Sequence, residues 1–279
     1  MKKISLVLIG VLVGALSLTG CSSSTQSGSS DTSVKEESSD KGEQTTWEKI
    51  QAQGYITFAT EGTYSPYSYH DDSDKLVGYD VEIAEAIADK IGVEAKFTET
   101  KWDGIVAGLD AKKYDVIANQ VSITDERKEK YLFSVPYTYA YGVVVVNKDN
   151  DSIKSFEDLD GAQVSLTTTS NWAELSESYG ATIVPTNGFS ESIQLVIQNR
   201  ADATVNDNVT YLDYVKQQPD ANVKVAATSE EATESALLVR KEDTDLQEKL
   251  NSALEELLED GTITSISEKY FGEDISKGK

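Results

Sequence analysis

The chain has little of the residues that most chemistry needs. Its 279 residues hold one cysteine, Cys21, one histidine, His70, and three arginines, Arg127, Arg200 and Arg240, against 22 lysines. One cysteine can build neither a disulfide framework nor a thiolate metal cage. The single histidine sits beside Asp71-Asp72-Ser73-Asp74 and reads as a surface-loop residue, so no metal site and no Ser-His-Asp set is expected. No strand-to-helix turn carries GxGxxG or GxxxxGK[ST], so no nucleotide or other cofactor is expected. Positive charge is outweighed as well. The formal net charge is −23, which argues against nucleic acid and against an electrostatic grip on anionic lipid. Where arginine is this scarce, each one carries more weight.

The N-terminus has a distinct grammar. Lys2 and Lys3 precede an apolar run from Ile4 to Leu16, then Leu18-Thr19-Gly20-Cys21. A charged start, an apolar stretch too short to span comfortably and small residues before a cut site describe a secretory signal over residues 1–20. The end of that segment resembles a bacterial lipobox. The resemblance implies that Cys21 is lipidated and becomes the new N-terminus of a protein tethered to the cell membrane on its extracytoplasmic face. Losing Lys2 and Lys3 takes the charge from −23 to −25. Residues Ser22 to Thr46 contain one apolar residue, Val34, and cannot bury enough surface to offset chain entropy. Residues 21–46 therefore read as a disordered, lipid-anchored linker.

The remainder, from Trp47, alternates strand and helix patterns and predicts an α/β fold with mainly parallel pairing. Strands are expected at Tyr55–Ala59, Val93–Phe97, Asp115–Ala118 and Gly142–Val146. Helices are expected at Asp80–Ile91 and Trp102–Leu109. A second set follows, with strands at Val164–Leu166, Thr182–Val184, Ala203–Val205, Val223–Ala226 and Ala236–Val239. Its helices are Trp172–Tyr179, Glu191–Gln198 and Val209–Val215, and two more close the chain at Leu246–Leu258 and Ile263–Tyr270. Ligands of open α/β sheets sit beyond the carboxyl ends of strands. Four segments qualify: Glu61 to Tyr67, Asn119 to Arg127, Thr167 to Trp172, and Asn206-Asp207.

Those segments, in order and at this spacing, resemble the extracytoplasmic solute-binding proteins of polar amino-acid ABC importers (solute-binding protein family 3). The likeness is carried by Glu61-Gly62-Thr63-Tyr64-Ser65-Pro66-Tyr67, Gly78-Tyr79-Asp80-Val81, Lys101-Trp102-Asp103-Gly104, Ser122-Ile123-Thr124-Asp125-Glu126-Arg127 and Ser267-Glu268-Lys269-Tyr270-Phe271-Gly272. It implies a type II periplasmic-binding-protein-like fold. Two lobes, each a mainly parallel sheet flanked by helices, are joined by two hinge strands and enclose a ligand. Lobe 1 would take residues 47–140 plus 235–279, and lobe 2 residues 141–234. The crossings fall near Tyr139–Val143 and Glu231–Ala236.

The resemblance also assigns roles. Arg127, a planar fork that matches a carboxylate, would take the α-carboxylate, with donors from around Ser122; otherwise it pairs with Asp125 or Glu129 on the surface. Asp207 would meet the α-ammonium, or cap the helix from Val209, or both. Tyr64 and Trp102 would wall the ligand side chain; the alternative for each is ordinary core packing. Trp172 covers the site or packs its helix. Among members of the family the pattern is most similar to the cystine-binding ones. Those carry Gly-Thr-Asn where this chain has Thr169-Ser170-Asn171, so a side chain stands where glycine would let backbone approach the ligand. Cystine has two zwitterionic ends; Arg127 and Asp207 would serve one, and Glu61, Asn119, Gln120 and Asn171 are available for the other, with Thr167 and Ser170 also expected among the ligand-binding residues. The expected partners are an amino acid (cystine, or else glutamine, glutamate or arginine) and a membrane permease, and the protein is expected to act as a monomer. Other readings are a dehydratase on the same fold with Glu61 and Asp207 as acid and base, and a sensor or adhesin.

Overall fold

The computed structural model describes residues 44–278; the signal segment, Cys21 and most of the expected linker lie outside them. Folded structure starts two residues earlier than expected. Helix α1 (Thr46–Gln53) opens on a capping box. The Thr45 hydroxyl accepts from Glu48 N, and Glu48 accepts from Thr45 N at 2.9 Å. Thr45 and Thr46 thus belong to the folded domain, because a Thr-x-x-Glu pattern satisfies two helix-end donors that a linker would leave to water.

Parallel pairing builds one end of the sheet. Strand β1 (Tyr55–Thr60) precedes a small three-stranded sheet of β2 (Thr63–Tyr64), β3 (Ser68–His70) and β4 (Leu76–Val77). Helix α2 (Tyr79–Ile91) then leads to β5 (Glu94–Glu99), and α3 (Trp102–Asp110) to β6 (Val116–Ser122). Both β5 and β6 lie parallel to β1. Short α4 (Asp125–Lys130) and β7 (Tyr131–Phe133) lead to β8 (Thr138–Asn147). The other end repeats the rhythm with β9 (Gln163–Leu166), α5 (Asn171–Ser178), β10 (Thr182–Pro185), α6 (Phe189–Ile197), β11 (Ala203–Asp207) and α7 (Asn208–Gln217). There β9 runs parallel to β10 and β11. Strand β12 (Val223–Arg240) returns, and α8 (Thr244–Glu259) and α9 (Thr262–Phe271) close the chain beside α2.

The return is where the structure departs from expectation. Val223–Ala226 and Ala236–Val239 are the two ends of one 18-residue strand. Strand β12 pairs antiparallel with β8 from Val223↔Asn147 to Ser235↔Thr138, with register shifts at Val225/Ala227 and Thr228/Ala232. Its polar middle hides it from pattern reading, since Thr228–Glu234 offers no apolar alternation. Because β8 and β12 hydrogen-bond to each other, the two lobes share one sheet, ordered β10-β9-β11-β8-β12-β6-β1-β5.

Core residues alternate between the faces of that sheet. Val144 and Val146 of β8 pack with Leu166 and Trp172 on one face, while Val143 and Val145 pack with Ile193 and Val196 on the other. In the first lobe, Leu237 and Val239 of β12 face α2 and α8, and Ala236 and Leu238 face α3. Strands covered on both faces need apolar residues at successive positions. Each buried Val or Leu contributes roughly 1.5–3 kcal/mol.

Candidate functional site

A cavity of about 60 Å³ lies between the lobes, beyond the carboxyl ends of β1, β6, β9 and β11. Ten of the eleven expected site residues line it: from the first lobe Glu61, Tyr64, Trp102, Asn119, Gln120 and Ser122, from the second Thr167, Ser170, Asn171 and Asp207. Its volume is far below the roughly 300 Å³ at which small-molecule pockets begin, so a solute enters only as the lobes part. Past Ser122, Asn171 and Trp172 it adjoins a wider groove of about 1020 Å³ along the hinge.

Two carboxylates stand in the cavity wall, and none of the lining residues is lysine or arginine. Asp207 is 7% exposed. It occupies the N-cap position of α7, yet its side chain makes no cap bond, so the capping alternative is set aside. It accepts instead from the Tyr64 hydroxyl, at 3.2 Å. Burial pushes the Asp207 carboxyl up to about 7, against the opposing hydrogen bond from Tyr64. Glu61 is also raised, by burial first, while the Asn119 amide and the Trp102 backbone pull it back. Asn119 is a bracket rather than a free donor. It donates to Glu61 Oε2 at 2.9 Å, and its Oδ1 accepts from Glu61 N and Thr60 Oγ1, both at 2.9 Å. Two desolvated acids without a cation are unstable neighbours. Such a cavity favours a guest that brings positive charge.

Gln120 is held in an unusual way. It sits in strand β6 with φ of 51°, a left-handed conformation that costs a non-glycine residue on the order of 1 kcal/mol. Strand β6 bulges there: Val121 pairs with Ala236 and Ile117 with Leu238, so three residues of β6 oppose Leu237 alone. The Gln120 backbone N–H and side-chain amide both donate to the buried Asp80.

Arg127 is the expected residue that does not line the cavity. Its Nη1 donates to the Ser122 carbonyl at 3.0 Å and its Nη2 to the Thr169 carbonyl at 3.4 Å, while its guanidinium stacks 5.5 Å from the Trp102 ring centroid. It closes the outer edge of the site and bridges the two lobes. Neither Asp125 nor Glu129 takes it in an ion pair; Asp125 pairs with Lys128 instead. Trp102 both lines the cavity and packs against the core cluster that contains Ile105 and Phe133, and Trp172 likewise serves cavity and core. Thr169 does not line the cavity; its hydroxyl donates to Asp103 of the first lobe at 2.8 Å.

The lobes meet in further bonds. The single Tyr64 hydroxyl hydrogen is shared between Asp207 and Asn206 Oδ1, the latter at 2.9 Å, while Ser65 donates to Asp213 at 2.8 Å and Lys101 to Asn187 at 3.3 Å. Gly142 lets the lobes and hinge pack closely, since a Cβ there would stand 2.5 Å from Trp172 Cζ3. Sequence reasoning missed Leu166, Gly188, Phe189 and Ser192, which also line the cavity. Gly188 and its neighbours follow strand β10, so the rule that picked the other four segments applied there too. Gly188 takes the left-handed φ of 141° at the start of α6.

Residues 56–273 match the bacterial extracellular solute-binding proteins, family 3, and the chain belongs to that family, whose members are the substrate-binding components of amino-acid ABC transporters. Among its relatives is the L-cystine-binding protein TcyA of Bacillus subtilis, 43% identical over 232 residues, 83% of this chain and 86% of that protein. An ancestral arginine-binding protein bound to arginine matches with a TM-score of 0.74 and 40% identity, over 78% of this chain and 99% of that one. The L-cystine solute receptor of Neisseria gonorrhoeae in its unliganded open conformation matches with 42% identity over 83% of this chain and 99% of that one, but a TM-score of 0.57. At similar identity the shape agrees better with the arginine-bound structure than with the open receptor, in line with the bonds across the cleft. The family binds extracytoplasmic solutes, which removes the dehydratase reading. Among the described residues no helix is long and apolar enough to cross a membrane.

Proposed function

We propose that the protein binds L-cystine between its lobes and delivers it to a membrane permease. The observation that carries this is the cavity's pair of carboxylates, half-buried Glu61 and buried Asp207, in a chain 43% identical to an L-cystine-binding protein. Cystine has an ammonium at each end, and each desolvated acid would gain a cation. Asp207, steered by Tyr64, receives one. Glu61, steered by Asn119, receives the other. Arg127 meets a carboxylate at the outer edge with the donors its two carbonyl bonds leave over. Ser122, Thr167, Ser170 and Asn171 supply polar contacts, and Trp102, Tyr64 and Trp172 cover the carbon and sulfur atoms.

The lobes divide as residues 45–140 with the chain from 235 onward, and 141–234, with β8 and β12 as hinge. Closure hides the solute from water and forms the surface that the permease meets. A lipid on Cys21 tethers the protein, as a monomer, to the outer face of the cell membrane. One observation favours a second solute: two acids facing one arginine complement L-arginine, with two cationic groups and one carboxylate, and a 40%-identical structure is an arginine-binding protein. Thermal denaturation with each amino acid at equal concentration separates the readings, because a ligand stabilises the native state by RT ln(1 + [L]/Kd). L-cystine should give the largest rise; a larger rise with L-arginine or L-glutamine would replace it.

A further inference from the structure

Asp80 is the second residue of α2, and in the sequence it reads as an acid at a helix start. Gly78 holds the cap position instead, with no side-chain cap bond. The Asp80 carboxylate is 1% exposed and turned inward. Gln120 N donates to it at 2.9 Å, Gln120 Nε2 at 2.6 Å and the Tyr137 hydroxyl at 2.9 Å. Two of its three partners therefore belong to one residue of the cavity wall.

This arrangement decides which way the Gln120 amide faces. Gln120 Nε2 donates to Asp80 Oδ1, so the NH2 end of the amide points to Asp80. The same nitrogen reaches Thr138 Oγ1 at 3.2 Å, which engages both amide hydrogens. What Gln120 has left for the cavity is its carbonyl oxygen, an acceptor suited to an ammonium. The backbone bond from Gln120 N holds the left-handed φ in place, because a return to extended geometry would strip the buried carboxylate of a donor. Thr138 is the first residue of hinge strand β8, and the Tyr79 hydroxyl holds the Tyr137 carbonyl beside it at 2.7 Å.

We propose that Asp80 is a positioning residue for solute binding: it fixes Gln120 as an acceptor in the cavity wall and ties that wall to the root of hinge strand β8. Asp80 itself does not line the cavity. The inference rests on the solute-binding reading of the cavity, and its test keeps the two apart.

Asp80→Asn keeps the shape and removes the charge. Titration of L-cystine into the full mature protein should show about a tenfold or greater loss of affinity. In a Gln120→Ala background the same substitution should add less than about twofold, since residues acting as one unit are non-additive. Affinity within about threefold of wild type, or losses that multiply across the two sites, would overturn the proposal. Tyr137→Phe, which removes one donor from Asp80 and does not alter a residue that lines the cavity, should lower affinity in the same direction if Asp80→Asn fails to fold. Hydrogen exchange of the segment 116–122 without any solute should speed up in Asp80→Asn, and unchanged exchange would also overturn the proposal. If wild-type protein ignores L-cystine, the substrate reading fails while the exchange result still judges Asp80.

Discussion

The Tyr64 hydroxyl of the first lobe lies 3.2 Å from the Asp207 carboxylate of the second. One phenol thereby joins the lobes and orients the acid assigned to the ammonium. Tyr64→Phe keeps the ring over the cavity and deletes the donor. A net loss of roughly 1 kcal/mol predicts about a fivefold weaker affinity by titration calorimetry, with the fold unchanged by circular dichroism. Unchanged affinity would show that the bond serves closure without steering Asp207.

Affinity and stability should respond to pH in opposite senses. Asp207 must be ionised to hold an ammonium, and burial raises it from 3.8 to about 7. Solute affinity should therefore climb between about pH 6 and pH 8, and Asp207→Asn should flatten the climb. For the free protein the sign reverses. Below 3.8 the acid is protonated folded and unfolded; between 3.8 and about 7 the folded state holds a proton that the unfolded state has released, so stability falls as pH rises. Asp80, raised to about 7 chiefly by burial, adds in the same direction. Thermal melts of solute-free protein across this window check the trend.

Gly142→Ala should damage both hinge and site. The added methyl would meet the Trp172 ring 2.5 Å away, and overpacking costs about 1–3 kcal/mol. A chain this long should melt several degrees lower, with weaker solute binding because Trp172 lines the cavity. An unchanged melt would mean that the ring has room to move.

Cys21→Ser tests the anchor. Expressed with its signal segment, the variant should leave the membrane fraction for the soluble extracytoplasmic fraction. Firm membrane association would contradict lipidation at Cys21.

Most of the architecture was legible because strands covered on both faces leave long apolar runs such as Gly142–Val146, and the amphipathic helices leave stripes. The middle of β12 was not legible. Thr228–Glu234 is held by pairing with β8, a contact between residues roughly ninety apart that leaves no local periodicity. The site was legible wherever polar residues end a strand, which placed Glu61, Asn119, Ser122 and Asp207. Asp80 was opaque for the reverse reason: it sits inside a helix start, and its partner Gln120 is 40 residues away. Arg127 was visible as a rare residue, but its bond to the Thr169 carbonyl crosses from one lobe to the other, which no local pattern records.

The most direct test is calorimetric titration of L-cystine into protein stripped of bound solute by unfolding and refolding, with L-arginine and L-glutamine as competitors. One-to-one binding that neither competitor displaces is the predicted result. No heat with L-cystine, or its displacement by equimolar L-arginine, would contradict the assignment of Glu61 and Asp207 to the two ammonium groups of one cystine.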